Sequence, residues 1–326
     1  MDKIFAKKLE TGDEIRIISP SSSMQRVGGF DENLIAKIRL ENQGFKVSFG
    51  AHILENDQFA SSTIASRVAD LHDAFLDTNV KMIMTTIGGF NSNELLPYID
   101  WNIIRNNPKI FIGYSDITSL HNAIRAQTGL VTYYGPCYSS FKMDELQDFQ
   151  TEAWLKAVTQ STYDLKPSSV WTSDLWFDAS LPRKPMANQW KVYHHGQASG
   201  TATGGNIQTY YLQAGTKFLP HVEKPILFLE EAEGGGGLEF SRELAQILQL
   251  HGDIKALVIG RFPLVNKMSE TELHAILNKF PILKRIPVIY DVDFGHTQPI
   301  LTFPLGGKIA VNTQDAGEVK ITILQG

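Results

Sequence analysis

The sequence predicts an α/β protein whose first half is a parallel sheet covered by helices, and three observations carry that expectation. Up to about residue 158, short apolar strands alternate with amphipathic helices, the pattern of successive βαβ units. The 326 residues are 43% hydrophobic and 20% charged, which supplies a large core and is too little charge for a disordered chain. Several strands run directly into Ser- or Gly-rich turns, the places where α/β folds bind ligands.

The first strand is read over Ile15 to Ile18 and ends in Ser19-Pro20-Ser21-Ser22-Ser23. Ser21 is the candidate ligand contact of that turn, set against a plain polar loop. A helix follows over about 31–42, with Leu34, Ile35 and Ile38 on its apolar face and Gly44 as its stop. Phe45 to Phe49 reads as a strand, and Ser62 to Leu76 as a helix striped by Ile64, Val68, Leu71 and Phe75. Val80 to Thr86 is strand-like and enters Gly88-Gly89, where the backbone can turn and approach a ligand closely. An N–H exposed there could serve as an oxyanion donor, and a tight strand-to-helix turn would use the same residues.

Ile110 to Ile112 breaks at Gly113, presents Ser115 between Tyr114 and Asp116, and becomes helical through Leu120, Ala123 and Ile124. Strand, sharp turn and helix are what a nucleophile elbow needs. The stretch lacks the second glycine of G-x-S-x-G, and a Ser at a helix start would look the same. Leu130 to Tyr134 forms a further strand, and Asp144 to about Val158 a helix.

Between Gln160 and Gln197 the periodicity fades among Pro167, Pro182, Pro185, Trp171, Trp176 and Trp190. Residues 166–197 are therefore read as an irregular crossing between an N-terminal domain, 1–165, and a C-terminal domain, 198–326. Its tryptophans line a cleft or cover a core. Beyond it, a strand from Ala198 leads to Gly204-Gly205-Asn206 and a short helix through Tyr210 and Leu212. The buried-type strand Pro225 to Leu229 runs into Glu230-Glu231-Ala232-Glu233 and four glycines, a poor core and a reasonable mobile active-site loop. Phe240 to Leu250 and Ser269 to Phe280 read as helices, and Ala256 to Ile259 and Pro287 to Tyr290 as strands. The last of these leads to Asp291-Val292-Asp293-Phe294-Gly295-His296-Thr297, and the tail reads as β-hairpins.

Composition narrows the function. A formal net charge of -5 without any basic tract argues against nucleic acid or an anionic membrane as partner. The single cysteine, Cys137, excludes an intrachain disulfide and fits a reducing compartment. With no signal-like or membrane-length apolar run, a cytoplasmic protein is expected. Nine histidines form no H-E-x-x-H pair, and His194-His195 would point to opposite faces of a strand. Neither a Walker loop nor a G-x-G-x-x-G opens a helix. No metal or cofactor is expected, and Cys137 has no evident base beside it.

Three strand-end sites remain: Ser115, Glu230 and His296, in the chain order nucleophile, acid, base. Function would require His296 to accept the Ser115 proton while Glu230 orients and stabilises the imidazole. The alternative from another class is a non-catalytic receptor whose cleft holds a peptide or nucleotide.

The stretches Gly12-Asp-Glu-Ile-Arg-Ile-Ile-Ser-Pro-Ser-Ser, Gly88-Gly-Phe-Asn-Ser-Asn-Glu-Leu-Leu and Ile112-Gly-Tyr-Ser-Asp resemble the LD-carboxypeptidase family of serine peptidases. Gly205-Asn206, Leu227-Phe-Leu-Glu-Glu and Gly295-His296-Thr297 extend the resemblance over nearly the whole chain, closest to the microcin-immunity branch. It implies a flavodoxin-like N-terminal domain, a smaller β-rich α/β C-terminal domain, an active site in the cleft between them, and a homodimer. It further implies a triad of Ser115, Glu230 and His296, an oxyanion hole from the backbone N–H groups of Gly89 and Asp116, and a substrate contact at Asn206. Glu230 is chosen over adjacent Glu231 because it directly follows the apolar strand. Trp176 is the preferred partner for a nucleobase. The implied reaction is hydrolysis of the C-terminal linkage of a small peptide or peptidyl-nucleotide, with murein tetrapeptide trimming as the alternative. One departure stands out: Glu233 and four glycines occupy the loop where basic residues would meet a nucleotide phosphate in the microcin-immunity branch.

Overall fold

A computed structural model describes residues 2–175, 177–178, 181–314 and 319–326. The first five strands are β1 (Glu14–Ile18), β2 (Lys46–Phe49), β3 (Val80–Thr85), β4 (Ile110–Gly113) and β5 (Thr132–Tyr134). They are followed by β6 (Tyr163–Leu165), the short ribbon β7 (Val170–Trp171) and β8 (Met186–Ala187), β9 (Lys191–His194), and β10 (Gln197–Asn206). The remainder are β11 (Ile226–Glu230), β12 (Ala256–Gly260), β13 (Val288–Val292), β14 (Phe303–Leu305), β15 (Lys308–Asn312) and β16 (Lys320–Gln325).

The expected α/β class is what the structure shows. β3 and β4 are almost wholly apolar and buried, as strands covered on both faces must be. The first five strands are parallel in the order β2-β1-β3-β4-β5, the flavodoxin order. Helix Ile64–Leu76 buries Val68, Leu71 and Phe75, and Thr63 caps its start by accepting the Ser66 N–H. Helix Thr118–Thr128 ends at Gly129, whose φ of 85° is the left-handed stop a glycine provides.

The helix expected over 31–42 differs in two ways. It breaks at Asn33, whose side chain donates to the carbonyls of Val27 and Gly29 and closes a short helix, Gly29–Glu32. The continuing helix, Leu34–Asn42, buries Ala36 and Leu40 and turns Leu34, Ile35 and Ile38 outward, at 55%, 40% and 40% exposure. Arg39 fixes that rotation by donating to the carbonyls of Phe141 and Met143.

The second sheet has eight strands in the order β6-β16-β15-β10-β11-β12-β13-β9. β10 to β13 are parallel, while the outer strands pair antiparallel. The aperiodic stretch thus contributes β7, β8 and both edge strands of this sheet, β6 and β9, so the second sheet takes in residues read as the N-terminal domain and the crossing. β15 and β16 form the expected hairpin, but β14 joins the first sheet instead, pairing Phe303 with Tyr134. That exchange stitches the two sheets together around an aromatic stack. Ring centroids of Phe228 and Phe303 lie 4.4 Å apart, and those of Tyr134 and Phe303 5.5 Å apart. Among the described residues no helix is long and apolar enough to cross a membrane.

Candidate active site

The carboxyl end of β4 packs so tightly that a Cβ on Gly113 would lie 2.4 Å from Thr85 Oγ1. Two residues on, Ser115 sits at φ 63°, a left-handed conformation that non-glycine residues rarely adopt and that marks strained functional turns. A short 3-10 turn, Ser115–Ile117, then feeds helix Thr118–Thr128, so the serine stands at the start of a helical segment.

Glu230 ends β11 and is fully buried. Opposite it, the loop after β13 runs through Asp293, whose buried carboxylate accepts from Arg261 Nη1 at 2.7 Å and from Trp190 Nε1 at 3.0 Å. This pins the turn that presents His296. Gly295, at φ 101°, lets the backbone close on the acid: a Cβ there would lie 2.5 Å from Glu230 Oε2. His296 Nδ1 consequently lies 2.7 Å from Glu230 Oε2, and Nε2 lies 3.0 Å from Ser115 Oγ. Three side chains separated by 66 and 181 residues form one hydrogen-bonded chain.

The electrostatics suit proton transfer. Burial alone would push the Glu230 carboxyl up, but the facing imidazole and hydrogen bonds from His296 and Tyr134 outweigh it and hold the group below its ordinary value. The ionised carboxylate accepts a hydrogen bond from Nδ1–H, which leaves Nε2 as the acceptor toward Ser115. Burial in turn would lower the His296 pKa, and the Glu230 charge and hydrogen bond more than reverse that, so it is raised. Glu231, the next residue, has no hydrogen-bond partner for either carboxylate oxygen among the described residues. Burial and the charges of Glu243 and Glu230 push it up to about 8, with Asn266 a weak counterweight.

The other expected residues fall in different places. The Gly88-Gly89 turn packs on the serine, and a Cβ on Gly88 would lie 3.1 Å from Ser115 Oγ and 3.6 Å from the Asp116 N. Gly89 presses on the first Ser-rich turn, where a Cβ would lie 2.3 Å from Ser21 Oγ. Ser21 itself is buried and donates to Asp116 Oδ2 at 2.6 Å, so its hydroxyl proton is committed to bracing the turn. Asp116 Oδ2 also accepts the Ser92 N–H at 2.9 Å, tying three loops together. Asn206 pairs with Glu230 across β10 and β11. Its Oδ1 caps helix Ile207–Leu212, while its buried Nδ2 lies close enough to favour the Glu230 carboxylate without a well-formed hydrogen bond. Of the tryptophans, Trp190 is buried against Asp293 and Trp171 lies 4.6 Å from the Arg261 guanidinium. Trp176 lies outside the described residues.

Sequence reasoning missed Tyr134 and the Asp116 carboxylate. Tyr134 Oη donates to Glu230 Oε1 at 2.6 Å and accepts the Ser115 N–H at 3.2 Å. The available signal was a tyrosine closing the strand before Gly135-Pro136, after the strand that carries the elbow.

Comparison with known proteins agrees with this architecture. Residues 15–135 match the LD-carboxypeptidase N-terminal domain, and residues 199–311 match the LD-carboxypeptidase C-terminal domain. The putative carboxypeptidase YocD of Bacillus subtilis is 42% identical, over 94% of this chain and 96% of its own. The microcin C7 self-immunity protein MccF of Escherichia coli is 32% identical, over 95% and 93%. The crystal structure of an MccF-like protein from Bacillus anthracis superposes with a TM-score of 0.95 at 42% identity, covering 99% of this chain and 100% of that one. This chain belongs to the LD-carboxypeptidase family.

Proposed function

We propose that this chain is a serine carboxypeptidase or amidase that cleaves the C-terminal linkage of a small peptide, or of a peptidyl- or aminoacyl-nucleotide, through an acyl-enzyme. The observation that carries the reading is the unbroken chain from Ser115 Oγ through His296 to Glu230, at 3.0 and 2.7 Å. Ser115 Oγ attacks the carbonyl carbon while His296 Nε2 takes its proton, and the Glu230 carboxylate stabilises the imidazolium. The oxyanion is met by the backbone N–H groups of Gly89 and Asp116 beside the nucleophile. The imidazolium then protonates the leaving nitrogen as the C–N bond breaks. Water deprotonated by His296 hydrolyses the acyl-enzyme. A cavity of about 480 Å³ lined by Ser22, Phe59, Arg67, Phe90 and Asn91 flanks the glycine turn and offers room for the acyl side of a peptide.

Two substrate classes follow from relatives. MccF structures hold glutamyl sulfamoyl guanosine and aspartyl sulfamoyl adenosine, which favours an aminoacyl-nucleotide and a role in detoxifying a microcin-type antibiotic. A Bacillus subtilis relative at 30% identity is a probable murein peptide carboxypeptidase. The absence of any basic residue from Glu233 to Gly237 favours that second reading, because nothing there meets a phosphate. A side-by-side assay of an LD-tetrapeptide and a non-phosphate aminoacyl-adenylate analogue decides, and if neither is cut both substrates are wrong. Ser115→Ala should abolish turnover with the fold intact, and unchanged activity would overturn the mechanism.

The same reading places the enzyme in the cytoplasm, with Asn206 helping to hold the substrate and Trp176 as the partner proposed for a nucleobase; its two lobes follow the two sheets instead of 1–165 and 198–326, since β6 and β9 join the second sheet and β14 the first. It makes the protein a homodimer, and the outward face of Leu34, Ile35 and Ile38 is the surface proposed for the contact. Ile38→Glu should then shift gel filtration to the monomer.

A further inference from the structure

Tyr134 closes β5, and the parallel register sets it beside Gly113 at the end of the elbow strand. Its ring is fully buried, stacked on Phe303 and edge-on to Phe294 at 6.2 Å. Gly205, at φ 123°, leaves it room, since a Cβ there would lie 3.1 Å from Tyr134 Cε2. A ring held on all sides gives its hydroxyl one position, and the hydroxyl is used twice there. It donates to Glu230 Oε1 and accepts the Ser115 N–H, which one O–H and its lone pairs permit. Burial and the Glu230 charge push its ionisation well above the ordinary value, so it remains a donor.

We propose that Tyr134 is a positioning residue whose single hydroxyl sets both the orientation of the Glu230 carboxylate and the backbone of the nucleophile. The proposal rests on the serine-hydrolase reading above. With Oε1 held by Tyr134, Oε2 is left for His296 Nδ1, and a carboxylate rotation that broke one bond would break both. At Ser115 the committed N–H helps hold the left-handed turn, which leaves the oxyanion to Gly89 and Asp116. The contact also crosses between the two sheets, from β5 to β11, so acid and nucleophile keep their spacing only while the sheets stay in register.

The charge effect has a definite sign. A donor on Oε1 draws negative charge away from Oε2 and weakens its hold on the imidazolium. Removing that donor makes Glu230 more basic toward His296 and moves the His296 titration to higher pH. The test is Tyr134→Phe, which keeps the ring and its stack, with Phe303→Leu as a control that loosens the same packing and keeps the hydroxyl. In Tyr134→Phe, labelling of Ser115 by a serine-directed fluorophosphonate should slow by about 10- to 100-fold, the loss expected of one hydrogen bond to a charged group. The acid limb of the labelling profile and the His296 imidazole titration, followed by NMR, should both move to higher pH. Phe303→Leu should lower the melting temperature and move neither. An unmoved His296 titration in Tyr134→Phe, or an equal shift in Phe303→Leu, overturns the proposal. A wild-type protein that resists labelling while His296 still shifts in Tyr134→Phe would sink the hydrolase reading and leave the positioning role standing.

Discussion

Glu230 and Glu231 are neighbours at the end of one strand, both fully buried, and their surroundings give them opposite characters. Side chains alternate along a strand, so Glu230 shares the face of Ile226 and Phe228, which packs with Phe294 and Phe303 toward the first sheet. There it meets His296 and Tyr134 and stays ionised. Glu231 shares the face of Leu227 and Leu229, which packs on Phe240 and Leu244 of helix Gly237–His251. There it meets another carboxylate, Glu243, itself pushed up to about 7 by burial and Glu239. One residue of register separates an ionised carboxylate that faces an imidazole from one that holds its proton near neutrality.

The largest effect should come from removing the charge that faces His296. Glu230→Gln keeps the shape but cannot hold the Nδ1–H tautomer or balance the imidazolium, and should lower kcat by about 10⁴-fold with the fold retained. Glu231→Gln should leave kcat within about threefold. Equal losses in steady-state assays would erase the distinction between the two faces.

Access to the acid is a finer test. Gly295→Ala places a methyl group against Glu230 Oε2 and asks alanine to adopt φ 101°. His296 should retreat from the carboxylate, with kcat falling about 100-fold and KM changing little. A wild-type kcat would mean that the acid need not touch the imidazole.

The pH profile follows from the pair itself. His296 must be neutral to accept the serine proton, and its pKa is raised above 6.5 by Glu230. Activity should therefore rise with pH through an apparent pKa above 6.5, and Glu230→Gln should move that limb down. A limb at or below the ordinary histidine value would show that the carboxylate does not stabilise the imidazolium.

Much of this arrangement was legible in the chain because it is local. A strand, a turn and a helix around Ser115, or a glycine before His296, are written in neighbouring residues, and the parallel pairing of β1 to β5 follows from alternating elements, whereas their flavodoxin order is implied by the family resemblance. What stayed hidden depends on distant partners. The outward face of Leu34–Asn42 is set by Arg39 reaching carbonyls about 100 residues away, and β14 leaves the tail to join β5. Ser21 reads as a ligand contact until Asp116, 95 residues later, is seen to take its hydroxyl. Tyr134 is likewise an ordinary strand aromatic until Glu230 arrives 96 residues on.

The smallest effect is the most specific to Glu231. Its carboxyl titrates at about 8 in the folded chain against an ordinary value of 4.5, so the folded state binds the extra proton between those limits. Unfolding releases it, and stability therefore falls as pH rises through that window, with no penalty below it and a constant one above. A neutral amide removes the pH-dependent part and keeps whatever fixed cost its own burial carries. Glu231→Gln should accordingly melt higher relative to wild type at pH 8 than at pH 5, the difference being on the order of 2 °C for a chain of this size. The Glu230 carboxylate itself contributes no such change between pH 5 and pH 8, because it is held below its ordinary value of 4.5 and loses its stabilising contribution only as pH falls below that value. A Glu231→Gln difference from wild type that stays constant between pH 5 and pH 8 would mean that the folded chain does not hold a proton on Glu231.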